Sequence, residues 1–344
     1  MPVETPAWWY PEGNGTGIQR VIAQMLRPFG SLYSGVTAHR MARNADYSPS
    51  IPVICIGNFT AGGTGKTPLA LALAEMLQAS GHRVAFLSRG YGGKTFGPYD
   101  VDIARDTADR VGDEPLLLAR QAPTTIARDR TAGAKQIERT GADVIIMDDG
   151  LQNPTLSKSL TFAVIDGARG LGNGLSIPAG PLRATLEDQL AHVDAIVING
   201  QPATTLPPLG SKVVLHGEIA ATADALALAD LPLLAFAGIG NPDRFAETLG
   251  QLSTNIQDLR TFPDHYPYSD ADAERLLEAA RHSASQLVTT RKDWVRLTGA
   301  PRESARARLQ AAALPIDVAF RFANNDAQKL TAMFELALTS ERNI

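Results

Sequence analysis

The chain has 344 residues, of which 44% are apolar and 20% charged, ordinary globular values that exclude a disordered or collagen-like polypeptide. At about 150 residues per domain, this length predicts two domains. A formal net charge of -4 gives no bulk electrostatic reason to bind nucleic acid. The single cysteine, Cys55, rules out an internal disulfide and a cysteine-based zinc site, and fits a reducing compartment. Apolar runs reach about ten residues, where a bilayer span needs about twenty, and the N-terminus lacks the basic-then-apolar order of a signal peptide. The chain is therefore expected in the cytoplasm, free or on a membrane surface.

Residues 13–45 contain no Asp or Glu but carry Arg20, Arg27, Arg40 and Arg43. Ile18, Val21, Ile22, Met25, Leu26, Phe29, Leu32, Tyr33 and Val36 recur at spacings of three and four, a helical stripe with an expected break or bend near Pro28 and Gly30. Trp8, Trp9 and Tyr10, upstream, are aromatics of the kind that settle at a bilayer interface. Segment 8–43 thus reads either as an interfacial amphipathic helix or as a helix packed on the core with solvated arginines.

Short β-branched runs then alternate with helical patterns. Ile51–Ile56, Val84–Ser88, Thr124–Ala127, Asp143–Asp149, Thr161–Asp166 and Ala195–Asn199 read as buried strands. Lys66–Ala79, Pro115–Arg120 and Arg128–Thr140 read as helices between them. This order predicts an α/β fold with a doubly wound parallel sheet. The Pro-rich stretch 201–210 suggests a boundary, giving a first domain over 1–205 and a smaller α/β domain over 206–325. In the latter, Leu233–Ala237, Ile256–Thr261 and Leu287–Thr290 read as strands, with helices around Arg244–Leu252 and Ala271–Arg281. Lys212–Glu218 and Ile316–Phe322 are expected to pair as a two-stranded connector. A last helix, Ala327–Leu338, could return from the segment 326–344 to the first domain.

The strongest local signal is Thr60-Ala61-Gly62-Gly63-Thr64-Gly65-Lys66-Thr67, between a buried strand and an Ala/Leu-rich helix. That is the context of a P-loop. Its glycines let backbone N–H groups turn toward a phosphate, and the helix N-terminus adds partial positive charge. Lys66 can reach the β- and γ-phosphates and Thr67 can offer its hydroxyl to Mg²⁺. Thr60 stands where the usual pattern begins with Gly, and Ala61 where some related ATPases carry a lysine.

Asp148 and Asp149 end a buried strand, where ligand sites of open α/β sheets lie, and one of them is suited to hold Mg²⁺. Asp113 and Glu114 precede a helix, and Asp113 reads as its N-cap. Arg89 and Tyr91 follow a strand, Arg183 sits in the rigid loop Ile177–Arg183, and His265 lies in the second domain. Thr289–Asp293 has the wrong spacing for a guanine-reading motif, which weakens a GTPase reading.

Together, Gly57–Pro68, Ser88-Arg-Gly-Tyr-Gly92, Val111-Gly-Asp-Glu-Pro115, Asp148-Asp-Gly-Leu-Gln152, Pro178–Arg183, Phe262-Pro-Asp-His265 and Thr289–Asp293 resemble the tetraacyldisaccharide 4'-kinase family of Gram-negative bacteria, in the family's order and over nearly the whole chain. The resemblance implies transfer of the ATP γ-phosphoryl group to the 4'-hydroxyl of a tetraacylated glucosamine disaccharide 1-phosphate, giving lipid IVA. It implies a peripheral enzyme on the cytoplasmic face of the inner membrane, with ATP and Mg²⁺ as cofactors and no obligate protein partner. By the same resemblance Asp113 is the base with His265 as its partner across the cleft, Lys66 and Thr67 contact phosphate and Mg²⁺, and Glu114, Asp148 and Asp149 surround the metal. Arg89, Tyr91, Gln152 and Arg183 fall in motifs lining the cleft. The chain departs from the family pattern at Asn153, usually His, and at Arg291, usually Glu. Kinases of another lipid or sugar, and a membrane-surface NTPase switch, are the rival readings.

Overall fold

The computed structural model describes residues 6, 8–10, 17–203, 205–222, 228, 231–253 and 255–340. In chain order the elements begin with α1 (Gly17–Met41), β1 (Val53–Asn58), α2 (Lys66–Ala79), β2 (Val84–Ser88), β3 (Tyr99–Asp100), α3 (Ala108–Val111), α4 (Asp113–Leu118) and β4 (Thr124–Ile126). Next come α5 (Arg130–Glu138), β5 (Val144–Asp148), β6 (Leu160–Asp166), α6 (Leu186–Leu190), β7 (Ala195–Asn199) and β8 (Val213–Ala221). The rest are β9 (Leu233–Ala237), α7 (Pro242–Leu252), β10 (Ile256–Thr261), α8 (Asp270–His282), β11 (Gln286–Thr290), α9 (Arg291–Arg296), α10 (Ala305–Ala312), β12 (Leu314–Ile316), β13 (Val318–Phe322) and α11 (Asn324–Ser340).

Nine strands form one sheet in the order β13-β8-β7-β6-β1-β5-β2-β4-β3. It is parallel from β8 to β4 and closed at each edge by an antiparallel strand, β13 or β3. Every residue of β1, β2, β5, β6 and β7 is buried, which is why these strands read as continuous apolar runs. Alternation divides β1 between two cores. Ile54 and Ile56 pack under α2 with Leu69, Leu73 and Leu77, whereas Val53 packs on the opposite face with Ala134 and Ile137 of α5.

The second sheet, β10-β9-β11-β12, is parallel throughout. Phe245 and Leu249 of α7 cover one face, and Leu276 of α8 with Leu309 of α10 covers the other. Proline within β12 is tolerated because that strand lies at the sheet edge. The segments expected to form a connector do pair, with Phe320 opposite Ile219, but β8 also pairs with β7. They are therefore the margin of the large sheet, and the small sheet is a chain excursion between them. After β13 the chain goes directly into α11, which places Leu330 and Phe334 in the core with Leu69 and Leu73.

The N-terminal helix runs through Pro28 as one helix, so of the expected break or bend the break does not occur. A proline removes one backbone donor, and here packing carries the helix across it. The inward face is made of small or compact residues: Ala23, Gly30, Ser34, Thr37 and Met41. Contact at Gly30 is so close that a Cβ there would meet the Ser176 carbonyl oxygen at 2.7 Å. The large apolar side chains Ile18, Val21, Met25, Phe29, Leu32 and Val36 point outward, each more than half exposed. Trp8 and Trp9 are not free interfacial anchors: both indole N–H groups donate to the Pro178 carbonyl, at 3.3 and 3.0 Å. No described helix is long and apolar enough to cross a membrane.

Candidate active site

The glycine-rich loop joins β1 to α2. Gly62 and Gly65 have φ of 112° and 96°, values that side chains resist. Two asparagines hold the loop from below. Asn58 Nδ2 donates to the Gly62 carbonyl at 3.2 Å, and Asn199 Nδ2 to the Thr64 carbonyl at 3.0 Å. Thr60 bridges to Leu182, and the Ala61 amide donates to the Pro181 carbonyl at 2.8 Å, so the Ile177–Arg183 loop braces the start of the P-loop. Lys66 extends to within 3.6 Å of Asp149 Oδ1, and Arg183 Nη1 lies 3.5 Å from Asp149 Oδ2.

At the end of β5, Asp148 and Asp149 behave oppositely. Burial pushes Asp148 up to about 7, with Glu114 adding to the effect. Burial also raises Asp149, but Lys66 and Arg183 outweigh it and bring the carboxyl down to about 2. Asp148 Oδ1 and Asp149 Oδ1 are both buried without a hydrogen-bond partner. The Asp148 oxygen has no partner and the Asp149 oxygen has only the P-loop lysine, Lys66, at 3.6 Å, an arrangement that fits a hard divalent cation such as Mg²⁺.

Asp113 opens α4, but Gly112, at φ 95°, is the N-cap, contrary to the expected capping role of Asp113. The Asp113 carboxylate instead turns toward the second sheet. Its Oδ2 accepts from Arg296 Nε at 2.6 Å and lies 3.0 Å from His265 Nδ1. Burial opposes its ionisation, yet Lys292, His265 and Arg296 together hold it well below the usual carboxylate range. Of the pair, His265 is the more open, its side chain 28% exposed against 3% for Asp113. The ring meets Tyr91 edge to face at 5.3 Å. His265 (φ 56°) and Asp149 (φ 52°) both sit in the left-handed region, where strain gathers at functional positions. Beside them Glu114 pairs with Lys292 at 3.1 Å.

Between the sheets lies a cavity of about 450 Å³. The loop from Gly63 to Thr67 forms one wall, Glu114, Asp264 and Lys292 another, and Ile219, Ile316 and Phe320 an apolar end. A Cβ at Gly240 would stand 3.6 Å from the Gly63 nitrogen, ordinary contact distance, so the loop after β9 reaches the P-loop.

Gln152 does not line the cleft. It is buried, its Nε2 donating to the Asn58 carbonyl and to Gln189 Oε1, both at 2.9 Å, which makes it a brace beneath the P-loop. Arg89 and Tyr91 are exposed on the loop after β2. Asn153 accepts from the amide and hydroxyl of Thr155, closing a local turn. Arg291 pairs with Asp317 across the cavity margin. Sequence reasoning missed Asn58, Asn199, Arg130 and Arg296. The two asparagines each end a buried strand, which was a readable signal. Arg130 donates to the carbonyls of Ala127 and Asp148, contacts that have no local sequence mark.

A doubly wound parallel sheet with a Gly-rich loop feeding Lys-Thr into a helix, faced by carboxylates on the neighbouring strand, defines the P-loop nucleotide-binding class. The family described as tetraacyldisaccharide-1-P 4'-kinase matches residues 22–335, and the chain belongs to that family. Among its relatives, the tetraacyldisaccharide 4'-kinase of Rhodopseudomonas palustris (strain BisB18) is 45% identical, covering 98% of this chain and 97% of the relative. That of Methylobacterium nodulans is 52% identical over 81% of this chain and 84% of the relative. A crystal structure of LpxK from Aquifex aeolicus, described as an "apo" form in complex with ATP, shares the fold with a TM-score of 0.71. It is 24% identical, over 92% of this chain and 99% of that one.

Proposed function

We propose that the protein transfers the γ-phosphoryl group of ATP to the 4'-hydroxyl of tetraacyldisaccharide 1-phosphate, giving lipid IVA, at the inner-membrane surface facing the cytoplasm. The observation that carries this reading is the shared cavity. Its walls are the P-loop and Glu114, Asp264 and Lys292, and Glu114 and Asp264 are chain neighbours of the Asp113–His265 pair, which supports a reading in which phosphate donor and proton acceptor come together. Family membership supports the reaction and its lipid acceptor.

In this mechanism the P-loop amides and Lys66 bind the β- and γ-phosphates, and Arg183 adds charge beside Asp149. Thr67, Asp148, Asp149 and Glu114 would hold Mg²⁺, which when bound would neutralise charge developing on the phosphates. The sugar hydroxyl, a poor nucleophile, gives its proton to the Asp113–His265 pair. Asp113 stays ionised and orients the ring through Nδ1, while His265 is the more open of the two. Arg89 and Tyr91, exposed on the same rim, are suited to the acceptor.

Membrane contact is assigned to α1. Its outward stripe of large apolar side chains, flanked by Arg20, Arg27 and Arg40 and free of acids, suits a helix lying in an anionic lipid surface. The test is ³²P transfer from ATP to tetraacyldisaccharide 1-phosphate in detergent micelles, with Lys66→Ala as control. Label in lipid IVA from the parent alone supports the reading. ATP hydrolysis that proceeds equally without the lipid overturns it.

A further inference from the structure

We infer that Arg296 is a positioning residue of the transfer step, acting through Asp113 without touching substrate; this rests on the reaction just proposed. Arg296 lies on α9, and its side chain is only 6% exposed. Its Nε and Nη2 converge on one atom, Asp113 Oδ2, at 2.6 and 2.5 Å. That same oxygen faces His265 Nδ1, and Arg296 Nη2 is itself 3.5 Å from the ring nitrogen. The remaining nitrogen, Nη1, donates to the Gly238 carbonyl and to Asp293 Oδ1 at 2.8 Å.

Asp293 is fully buried and fixed in turn. It accepts from the Gly238 amide, the Tyr268 hydroxyl and the Thr290 hydroxyl. The guanidinium thus ties Asp113, a residue of the large sheet's layer, into the frame of the small sheet, where His265 lives. Lys292, one helical turn earlier on the same face of α9, pairs with the neighbouring acid Glu114. A permanently charged, planar fork can hold a carboxylate in one rotamer, whereas a lysine supplies charge without that geometry. Without Arg296 the Asp113 oxygen has no fixed bearing on the ring, and the dyad loses alignment while the P-loop is untouched.

Steady-state kinetics of Arg296→Met and Arg296→Lys in mixed micelles, with thermal melts of each, test the inference. Arg296→Met should lose about 100-fold in kcat with the KM for ATP changed less than about twofold, and Arg296→Lys should recover about tenfold of that loss. The double variant Arg296→Met/His265→Asn should fall no more than about threefold below the worse single variant, because both act through one carboxylate. A kcat for Arg296→Met within about threefold of the parent, fully additive losses, or a loss that follows the melt and is not rescued by lysine would overturn it. If Arg296→Met does not fold, Arg296→Lys decides alone, with about tenfold loss of kcat expected and parental kcat contradicting. A parent that transfers no phosphoryl group overturns the proposed function and this inference together; an active parent with unimpaired variants overturns this inference only.

Discussion

Asp113 Oδ2 and His265 Nδ1 lie 3.0 Å apart although 152 residues separate them in the chain. One stands at the first turn of α4 beside the large sheet and the other on the loop after β10 of the small one. Their meeting ties the layer of the large sheet to that of the small one.

Removing the histidine tests that meeting most cleanly, because it leaves the Asp113–Arg296 ion pair in place. His265→Asn should lower kcat by about 10²–10⁴-fold, the usual worth of an acid–base group, while affinity for an ATP analogue stays at the parental value. Asp113→Asn should lose at least as much turnover and also melt earlier, since it leaves the buried Arg296 without its carboxylate. Turnover ratios and calorimetric titration with the analogue would check both.

The P-loop has little tolerance at Gly65. Its φ of 96° suits glycine, and an added Cβ would sit 2.4 Å from Asn199 Nδ2, the group holding the Thr64 carbonyl. Gly65→Ala should therefore cost about 1–2 kcal/mol in the loop conformation alone, and weaken nucleotide binding by about tenfold or more. Fluorescence titration with a labelled ATP analogue reads the effect directly.

Asp148 sets a pH dependence of stability. In the folded chain its carboxyl is pushed up to about 7, whereas the unfolded value is about 4. Between these values the folded state keeps a proton that the unfolded state has released, so this group makes stability fall as pH rises from about 4 to about 7. Asp148→Asn, which cannot ionise, should melt above the parent at pH 8 and differ little near pH 4. Added Mg²⁺ should narrow the gap at pH 8 by stabilising only the parent. Melting curves at the two pH values, with and without Mg²⁺, supply the comparison.

The outward face of α1 can be altered without touching the core, because Met25, Phe29 and Leu32 are all well exposed. At about 1.5 kcal/mol for each large apolar side chain buried in lipid, replacing each with Ser should cost about tenfold in partitioning. The triple variant should leave anionic vesicles in a flotation assay while its melting temperature stays within about two degrees of the parent. Unchanged flotation would remove α1 from the membrane contact.

Much of this architecture was legible because the signals are local. The helix expected over Lys66–Ala79 and the strands over Leu233–Ala237 and Ile256–Thr261 have those ends in the structure, with Gly65, Ser80, Pro232, Gly238 and Asn255 standing just outside five of the six. Other features depend on partners distant in sequence. Asp113 followed by Pro115 looks like a cap until Arg296 and His265 arrive from the other sheet. Gln152 looks like a ligand contact until its amide is seen to be spent on Asn58 and Gln189. The α10 segment, Ala-Arg-Ala-Arg-Leu-Gln-Ala-Ala, offers too little apolar periodicity to announce a helix, and it is held by Leu309 against α8. The helix does not break at Pro28 for a related reason: a cost of one backbone bond is small beside the close seat of the helix at Gly30.

The excursion of the small sheet between β8 and β13 has a consequence for biogenesis. Phe320, Leu330 and Phe334, which close the core over Leu69 and Leu73, follow the whole second sheet in the chain. During synthesis, the nucleotide-binding half must wait with that apolar surface uncovered until the intervening half has left the ribosome. Such a nascent chain is exposed to chaperones and proteases for longer than one whose halves mature in succession. Loss of the last helix should then cost the cell soluble protein before it costs any chemistry.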